Sequence, residues 1–262
     1  MRLNCIYNED CLLTMKKMPD DFIDLVITSP PYDNIRFYHG YTFQFEKIAT
    51  EIYRILKQKG VLVWVVGDAT IKGNETGTSF RQALFFKEVG FNLYDTMIYA
   101  KVPRGAVGNN RTYWQAFDYM FVFSKGQPKT INLIKDRKNK ESREGDNGTK
   151  RLADGTRLKV SRKGYSEYGR RTNIWEYPVG KGHSTKDEIA FQHPAIFPEA
   201  LAKDHILSWS NEGDLVYDPF LGSGTTAKMA ILTGRNYIGS EISEEYYQIS
   251  IKRIKPYQES GK

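Results

Sequence analysis

Two short stretches combine residue types able to grip a flat, amine-bearing ligand. In "VITSPPY" (Val26–Tyr32), a small hydroxyl, Ser29, precedes two prolines and an aromatic ring. Pro30 and Pro31 restrict φ and lack N–H donors, so the backbone there is stiff and offers only carbonyls. A stiff carbonyl and a hydroxyl can together accept both hydrogens of an amino group, and Tyr32 can stack on a planar base. That grip suits methylation of an exocyclic amine. The amine lone pair is delocalised into the ring, and holding both N–H groups helps localise it for attack on an electrophilic methyl. A Pro-Pro pair alone reads rather as a strand terminator; the flanking Ser29 and Tyr32 favour the functional reading.

The second stretch is "LVYDPFLGSGTTAKMA" (Leu215–Ala230), an apolar run, an Asp, a glycine-spaced turn and a helix start. Gly222 and Gly224 let backbone approach a ligand closely, and Thr225–Thr226 open a helix whose N-terminus favours polar or anionic groups. Asp218, at the strand's carboxyl end, is expected to point into the same crevice. Glu241 stands 17 residues after Gly224, at the end of the next strand, where a carboxylate can accept both ribose hydroxyls. "GSGTT" has no Lys before its Thr pair, which excludes a P-loop, and no third glycine follows where a dinucleotide loop needs one. A nucleotide-type ligand of unspecified kind remains, against a purely structural turn.

Alternating strands and helices must position these stretches. "FIDLVITS" (22–29) and "VLVWVV" (61–66) read as buried strands. Between them Phe45, Ile48, Ala49, Ile52, Ile55 and Leu56 recur at helical spacing, with Gly60 as the residue closing the helix. A helix over 79–89 and strands over 93–100 and 119–124 follow. From 126 to about 182 the pattern fails and Gly, Lys, Arg, Asn and Ser dominate. It resumes in "HPAIFPEALAKDHIL", with Pro198 in the first turn of a helix. The strand Leu215–Tyr217, a helix to about Thr233, the strand "YIGSE" and a helix from Ser243 complete the chain. Strand–helix alternation implies βαβ units and a mostly parallel sheet.

Charge singles out the irregular segment. Lys125–Ala190 holds 17 Lys and Arg against 9 Asp and Glu, a net of +8, while the whole chain carries +7. A basic block on a neutral body favours a polyanion partner over a merely solvated loop. No apolar stretch approaches the roughly 20 residues that cross a bilayer, and the N-terminus lacks a signal-peptide pattern. The two cysteines, Cys5 and Cys11, are not a CxxC pair and there are only four histidines, so neither a disulfide framework nor a metal site is expected. The expected protein is soluble and cytoplasmic, with no membrane partner and no metal. His39, His183 and His205 read as surface or packing residues; Trp114, Phe117 and Tyr119 read as core, with the alternative that one of them faces the base.

Together, "TSPPY" and "DPFLGSGTT…IGSE" resemble the amino-group DNA methyltransferases that use S-adenosylmethionine. That family has a catalytic (Asp/Asn/Ser)-Pro-Pro-(Tyr/Phe) tetrapeptide and an Asp-Pro-Phe-x-Gly-Ser-Gly-Thr cofactor segment. The order here, catalytic motif, variable insert, cofactor motif, is similar to the circularly permuted β class. The resemblance covers both flanks and not the insert. It implies a Rossmann-like, permuted, mostly parallel seven-stranded α/β sheet with a basic target-recognition insert. The divisions are 1–125 for the catalytic half, 126–189 for the insert and 190–262 for the cofactor half of the same domain. By the same resemblance Ser29 and the Pro30 carbonyl bind the target amine, Pro31 stiffens that backbone and Tyr32 stacks on the base. Asp218, Pro219, Phe220, Gly222, Ser223, Gly224 and Thr225 line the cofactor pocket, with Glu241 on the ribose. "NEDCLLTM" resembles a Gly-Asp-x-Leu segment, with Glu9 in place of the glycine, and so implies Asp10 and Cys11 at the cofactor's adenine. "HPAIFP" resembles a His-Pro-x-x-Lys-Pro segment near the cofactor's methionine end. His193 and Pro198 match, and Phe197 replaces the lysine.

The implied activity is base flipping in double-stranded DNA followed by direct methyl transfer to an exocyclic nitrogen. In the family Ser at the first tetrapeptide position goes with cytosine N4 and Asp with adenine N6, so Ser29 leans to cytosine N4, with adenine N6 the alternative. A C5-cytosine enzyme needs a nucleophilic cysteine, usually after a proline, whereas Cys5 follows Asn4 and Cys11 follows Asp10. RNA and protein amino-methyltransferases usually carry Asn first in the tetrapeptide and place the cofactor motif first. A catalytically silent DNA-binding module would show a broken tetrapeptide or a lost Glu241. In the insert, Tyr165, Tyr168, Trp175 and Tyr177 interleave with the DNA-contact candidates Arg157, Arg162, Arg170 and Arg171. The protein could form a homodimer and a cognate restriction endonuclease could accompany it; the sequence decides neither.

Overall fold

A computed structural model of the chain describes residues 1–31, 43–102, 113–139, 145–162, 164 and 166–259. Tyr32, His39 and Tyr165 lie outside these residues. Two compact units divide the chain, Met1–Asn132 with Asn173–Lys262, and Leu133–Thr172.

In the first unit the elements run β1 (Cys5–Tyr7), α1 (Cys11–Lys16), β2 (Ile23–Thr28), α2 (Phe45–Ile55), β3 (Leu56–Val66), the small hairpin β4 (Thr70–Ile71) and β5 (Asn74–Glu75), α3 (Thr78–Val89), β6 (Asn92–Val102) and β7 (Phe117–Ser124). The second unit supplies β8 (Arg137–Lys138), β9 (Asp146–Arg151), β10 (Arg157–Arg162) and β11 (Tyr168–Gly169). The first unit resumes with β12 (Ile174–Pro178), a 3-10 turn over Glu188–Gln192, α4 (Glu199–Trp209), β13 (Leu215–Asp218), α5 (Thr225–Leu232), β14 (Asn236–Ser240) and α6 (Glu244–Glu259).

Eight strands form one sheet in the order β1-β14-β13-β2-β3-β7-β6-β12. All neighbours are parallel except those of β7, which is antiparallel to both β3 and β6. The strand expected at 119–124 within βαβ units pairs instead antiparallel with β6 and β3. The eighth strand, β12, lies in the irregular stretch of the sequence, where Trp175 and Tyr177 alternate inward and are both buried. Those aromatics are core, not DNA contacts. Residues 126–132 also belong to this unit: Lys129 N–H donates to the Lys59 carbonyl at 2.9 Å and Asn132 N–H to that of Ser208 at 2.8 Å.

One face of the sheet is covered by α1, α2 and α3. Met15, Ile48, Ile52 and Phe86 pack there against Val26, Leu62, Trp64, Phe123 and Tyr217. Strand alternation turns Leu25, Ile27, Val63, Val65 and Val216 the other way, and these are equally buried. On that face α4 packs on β2 and α5 on β13 and β14. Helix α2 stops at Ile55 with Leu56 already extended, so Gly60 closes no helix. It sits inside β3, where the register to β2 jumps from Ile23↔Leu56 to Leu25↔Val61. A Cβ at Gly60 would come within 2.9 Å of the Lys57 carbonyl oxygen and 3.0 Å of that of Asp24. The glycine serves this bulge.

The connections place the ligand edge. From β2 the chain moves to β3 on one side, and from β13 to β14 on the other, so β13 and β2 meet where the winding reverses. In open α/β sheets ligands bind outside the carboxyl ends of the strands at such a switch point. No helix among the described residues is long and apolar enough to cross a membrane.

Candidate active site

A cavity of about 480 Å³ lies along this carboxyl edge. Its wall follows the strand order. Glu9, Asp10 and Cys11 come just after β1, Glu241 and Ile242 after β14, Pro219 to Ser223 and Thr225 after β13, and Ser29, Pro30 and Pro31 after β2. Beyond Pro31 the wall continues with Gly67 and Asp68 after β3, then Gln115 just before β7, Asp118 on β7, and Tyr99 and Lys101 on β6. His193, Ala195, Ile196 and Phe197 add a loop from before α4.

The turn after β13 is held from several directions. Gly222 has φ +54°, and a Cβ there would meet His193 Nε2 at 3.0 Å, so only glycine lets the turn pass under the imidazole. Gly222 N–H donates to Glu241 Oε2 at 2.8 Å, and Ser243 N–H to Oε1 at 2.9 Å. Burial pushes the Glu241 carboxyl pKa up, while these backbone donors pull it down. The Ala195 N–H points at His193 Nδ1 at 3.1 Å, which assigns that nitrogen as the acceptor. The Tyr246 ring meets the imidazole edge-on at 4.3 Å.

Asp218 is not in the cavity wall. It is fully buried, and its oxygens accept from Thr28 Oγ1 at 2.6 Å, Thr226 Oγ1 at 2.7 Å and the Phe220 N–H at 3.0 Å. Burial raises its carboxyl pKa from 3.8 to about 6 against those three donors. Sequence reasoning aimed this carboxylate at the ligand. The structure turns it inward, where it ties the strand end before Ser29 to the glycine turn and to the start of α5.

Among the described residues the wall carries five carboxylates, Glu9, Asp10, Asp68, Asp118 and Glu241, and one lysine, Lys101, which pairs with Asp118 at 2.8 Å. Such a surface favours a cationic or neutral ligand over a phosphate.

The chain's sequence matches the model of a DNA methylase family, the N6/N4 methyltransferases, over residues 23–252. It belongs to that family. An orphan methyltransferase of Bacillus amyloliquefaciens, M.BamHII, is 60% identical over 241 residues, covering 91% of each chain. Among solved structures, the cytosine-N4-specific PvuII DNA methyltransferase superposes with a TM-score of 0.69 at 21% identity, over 98% of this chain and 93% of that one. The M1.HpyAVI–SAM complex superposes at 0.64 and 22% identity, over 95% and 98%. At these identities the superpositions speak for a shared fold: the Rossmann-like, mostly parallel sheet expected from the sequence, here with eight strands rather than seven.

In this methylase the cavity brings together Ser29, Pro30, Pro31, Asp10, Cys11, His193, Pro219, Phe220, Gly222, Ser223, Thr225 and Glu241. Three expected cofactor residues stand outside its wall. Asp218 is the internal tie. Gly224 precedes α5 at φ +85°, and a Cβ there would meet Ser250 at 3.1 Å. Pro198 starts α4 as its N-cap, one residue before the helix and not in its first turn. Asp10 lines the cavity and also caps α1, accepting the Leu12 N–H at 2.7 Å. In the second unit Arg171 is ion-paired with Asp136, Arg170 is exposed and Arg157 lies on exposed β10. For Arg162 only the backbone is described.

Sequence reading missed two groups. Lys101 and Asp118 meet only because β6 and β7 pair antiparallel with Tyr99 opposite Asp118, a register no local pattern reveals. The second is a buried ionic cluster behind the turn. Arg253 reaches Asp187 at 2.9 Å and Glu199 at 2.6 Å, and Lys228 reaches both at 2.7 Å. Arg253 Nη1 also donates to the Ser223 carbonyl, Ser223 Oγ and Thr225 Oγ1, each at 3.0 Å. The lone Lys in "GTTAKMA" was the available hint. His205 is packing, as expected: fully buried, its ring lies 4.6 Å from Trp175. Trp114, expected in the core, is 59% exposed.

Proposed function

We propose that the protein methylates an exocyclic amino group of a base flipped from double-stranded DNA, with cytosine N4 the preferred target. The observation that carries this reading is that Ser29, Pro30 and Pro31 line one cavity with the glycine turn, and that Asp218 ties the strand end before Ser29 to that turn's helix. The methyl donor is S-adenosylmethionine, which supplies an electrophilic methyl on a cationic sulfur. The acidic wall suits that charge, and Glu241 stands beside the close-approach turn for the ribose hydroxyls.

Ser29 and the Pro30 carbonyl accept the amine hydrogens. This localises the nitrogen lone pair and stabilises the positive charge the nitrogen would gain as its bond to the methyl carbon forms and the sulfonium's bond to that carbon breaks; the neutral thioether would then leave and the nitrogen would give up one proton to solvent. Pro31 and the Thr28–Asp218 bond fix where those acceptors stand. Tyr32 stacks on the base from the residue that follows. Glu241 and the turn orient the donor, which turns the reaction into a positioned encounter.

Incubating the protein with duplex DNA and S-adenosylmethionine, digesting to nucleosides and weighing the products tests this. N4-methylcytosine is expected. N6-methyladenine alone would move the target to adenine, and no methylated nucleoside would refute the activity.

A further inference from the structure

The second unit, Leu133–Thr172, holds 13 Lys and Arg against 6 Asp and Glu, so it carries a charge equal to the whole chain's net +7. Its largest element is the antiparallel ribbon of β9 and β10, with Arg157↔Arg151, Lys159↔Thr149 and Ser161↔Asn147 alternating with Leu158↔Lys150 and Val160↔Gly148. Directly paired residues share a face and successive residues change face. One face therefore presents Asn147, Thr149, Arg151, Arg157, Lys159 and Ser161, all exposed and none acidic. The other presents Leu158, Val160 and Lys150.

We infer that this ribbon is the sequence-reading element, entering the major groove of B-form DNA with its Asn147–Thr149–Arg151–Arg157–Lys159–Ser161 face toward the base edges. The inference rests on the DNA-methyltransferase reading above and adds which residues select the site.

Size agrees: strands about 4.8 Å apart, with side chains, match a major groove about 12 Å wide, which admits a two-stranded ribbon. Five residue steps at about 3.4 Å span about 17 Å, close to five base pairs at the same rise. The chemistry is that of base edges. Arg and Lys donate to guanine O6 and N7, Asn pairs with adenine, and Ser and Thr serve either. An ordinary solvated face would mix both signs of charge; this one is uniformly neutral or basic.

The ribbon's register is pinned at its tip. Leu152 N–H donates to the Thr156 carbonyl at 2.8 Å, Gly155 N–H to that of Leu152 at 3.0 Å, and Asp154 Oδ1 accepts the Thr156 N–H at 2.9 Å and hydroxyl at 2.7 Å. By contrast the arginines at and beside the β8–β11 pair are used internally, Arg171 on Asp136 and Arg137 Nε on the Arg170 carbonyl at 3.1 Å.

The test is to express the full chain in a host free of other DNA methylation and read the methylated sequence context by modification-resolving sequencing. Asn147→Ala, Arg157→Ala and Lys159→Ala are each expected to relax one base position, lowering the preference for the original site over its one-base neighbours by roughly 5- to 150-fold. Lys150→Ala, on the opposite face, is expected to keep the wild-type context. Unchanged S-adenosylmethionine binding by the purified variants reports that the catalytic unit is folded. Reading-face variants that keep the wild-type context, or that slow methylation equally at every site, would overturn the inference while leaving the methyltransferase reading intact. A wild-type chain that modifies no DNA would overturn both.

Discussion

Replacing Arg253 should loosen the turn that lines the cavity without touching the cavity itself. Its side chain is fully buried, and Lys228, Asp187 and Glu199 are 6%, 19% and 21% exposed. Two cations and two anions cancel in this cluster, so Arg253→Met leaves one uncompensated negative charge there. Removing one partner of a buried ion pair costs about 3–5 kcal/mol. Lys228 still reaches both carboxylates and some solvent does too, which places the expected loss near the lower end, about 3 kcal/mol. At roughly 2–4 °C per kcal/mol for a chain of this size, that is a drop in Tm of about 6–12 °C.

A second readout separates bracing from bulk stability. Arg253 is the donor to the Ser223 carbonyl and to Thr225 Oγ1, so its loss should weaken S-adenosylmethionine binding, read by calorimetry at a temperature where the variant is folded. Arg253→Lys keeps the charge but not the planar fork. It should recover much of the Tm and little of the affinity. Arg253→Met combined with Glu199→Gln restores neutrality and should be more stable than the sum of the two single losses. An Arg253→Met protein melting within about 2 °C of wild type, with unchanged affinity, would refute the bracing role.

Three further outcomes are expected. Gly222→Ala puts a side chain at φ +54° and within 3.0 Å of His193 Nε2, so S-adenosylmethionine affinity should fall at least tenfold by titration calorimetry, and wild-type affinity would contradict the close-approach role. Asp218 holds its proton more tightly folded than unfolded, so the stability linked to that proton is full below pH 3.8 and lost as pH rises through about 6; this gap is worth roughly 3 kcal/mol. Tm measured from pH 4 to 7 should therefore fall for wild type relative to Asp218→Asn, and parallel curves would remove Asp218 as the cause. Tyr32→Ala should abolish methyl transfer while leaving S-adenosylmethionine binding nearly unchanged; full turnover would remove the stacking role.

The legible parts of the sequence were those in which the signal and its structural consequence lie within a few residues. Ser29, Pro219 and Glu241 each fall one residue past a strand, as the apolar runs before them imply. What lay hidden depends on pairing across distance. β7 runs antiparallel to both of its neighbours, and nothing within residues 119–124 announces direction. β12 is only five residues long, among glycines and charges, and alternation over so short a span carries little weight. Gly60 has the look of a helix end because Leu56 continues the helical spacing, yet the bulge against β2 decides its place. The basic insert was legible as charge and not as a ribbon, because facing is fixed only by the β9–β10 register.

Asp218 shows how motif residues divide their labour. An acid at the carboxyl end of a strand next to a glycine turn can serve a ligand or the frame, and local spacing fits both. The deciding partners are hydroxyls within the two motifs themselves, Thr28 directly before Ser29 and Thr226 at the start of α5. The Thr28–Asp218 bond joins positions 190 residues apart. Ser29, Ser223, Thr225 and Glu241 face the cavity, whereas Thr28, Asp218 and Thr226 face each other. An acceptor for the amine and a seat for the methyl donor are useful only at a fixed separation, since a displacement of about 1 Å can cost about a hundredfold in rate. On the proposed reading the buried carboxylate holds that separation: its three donors offset part of the cost of burying it, and it is engaged by the frame and not offered to the ligand.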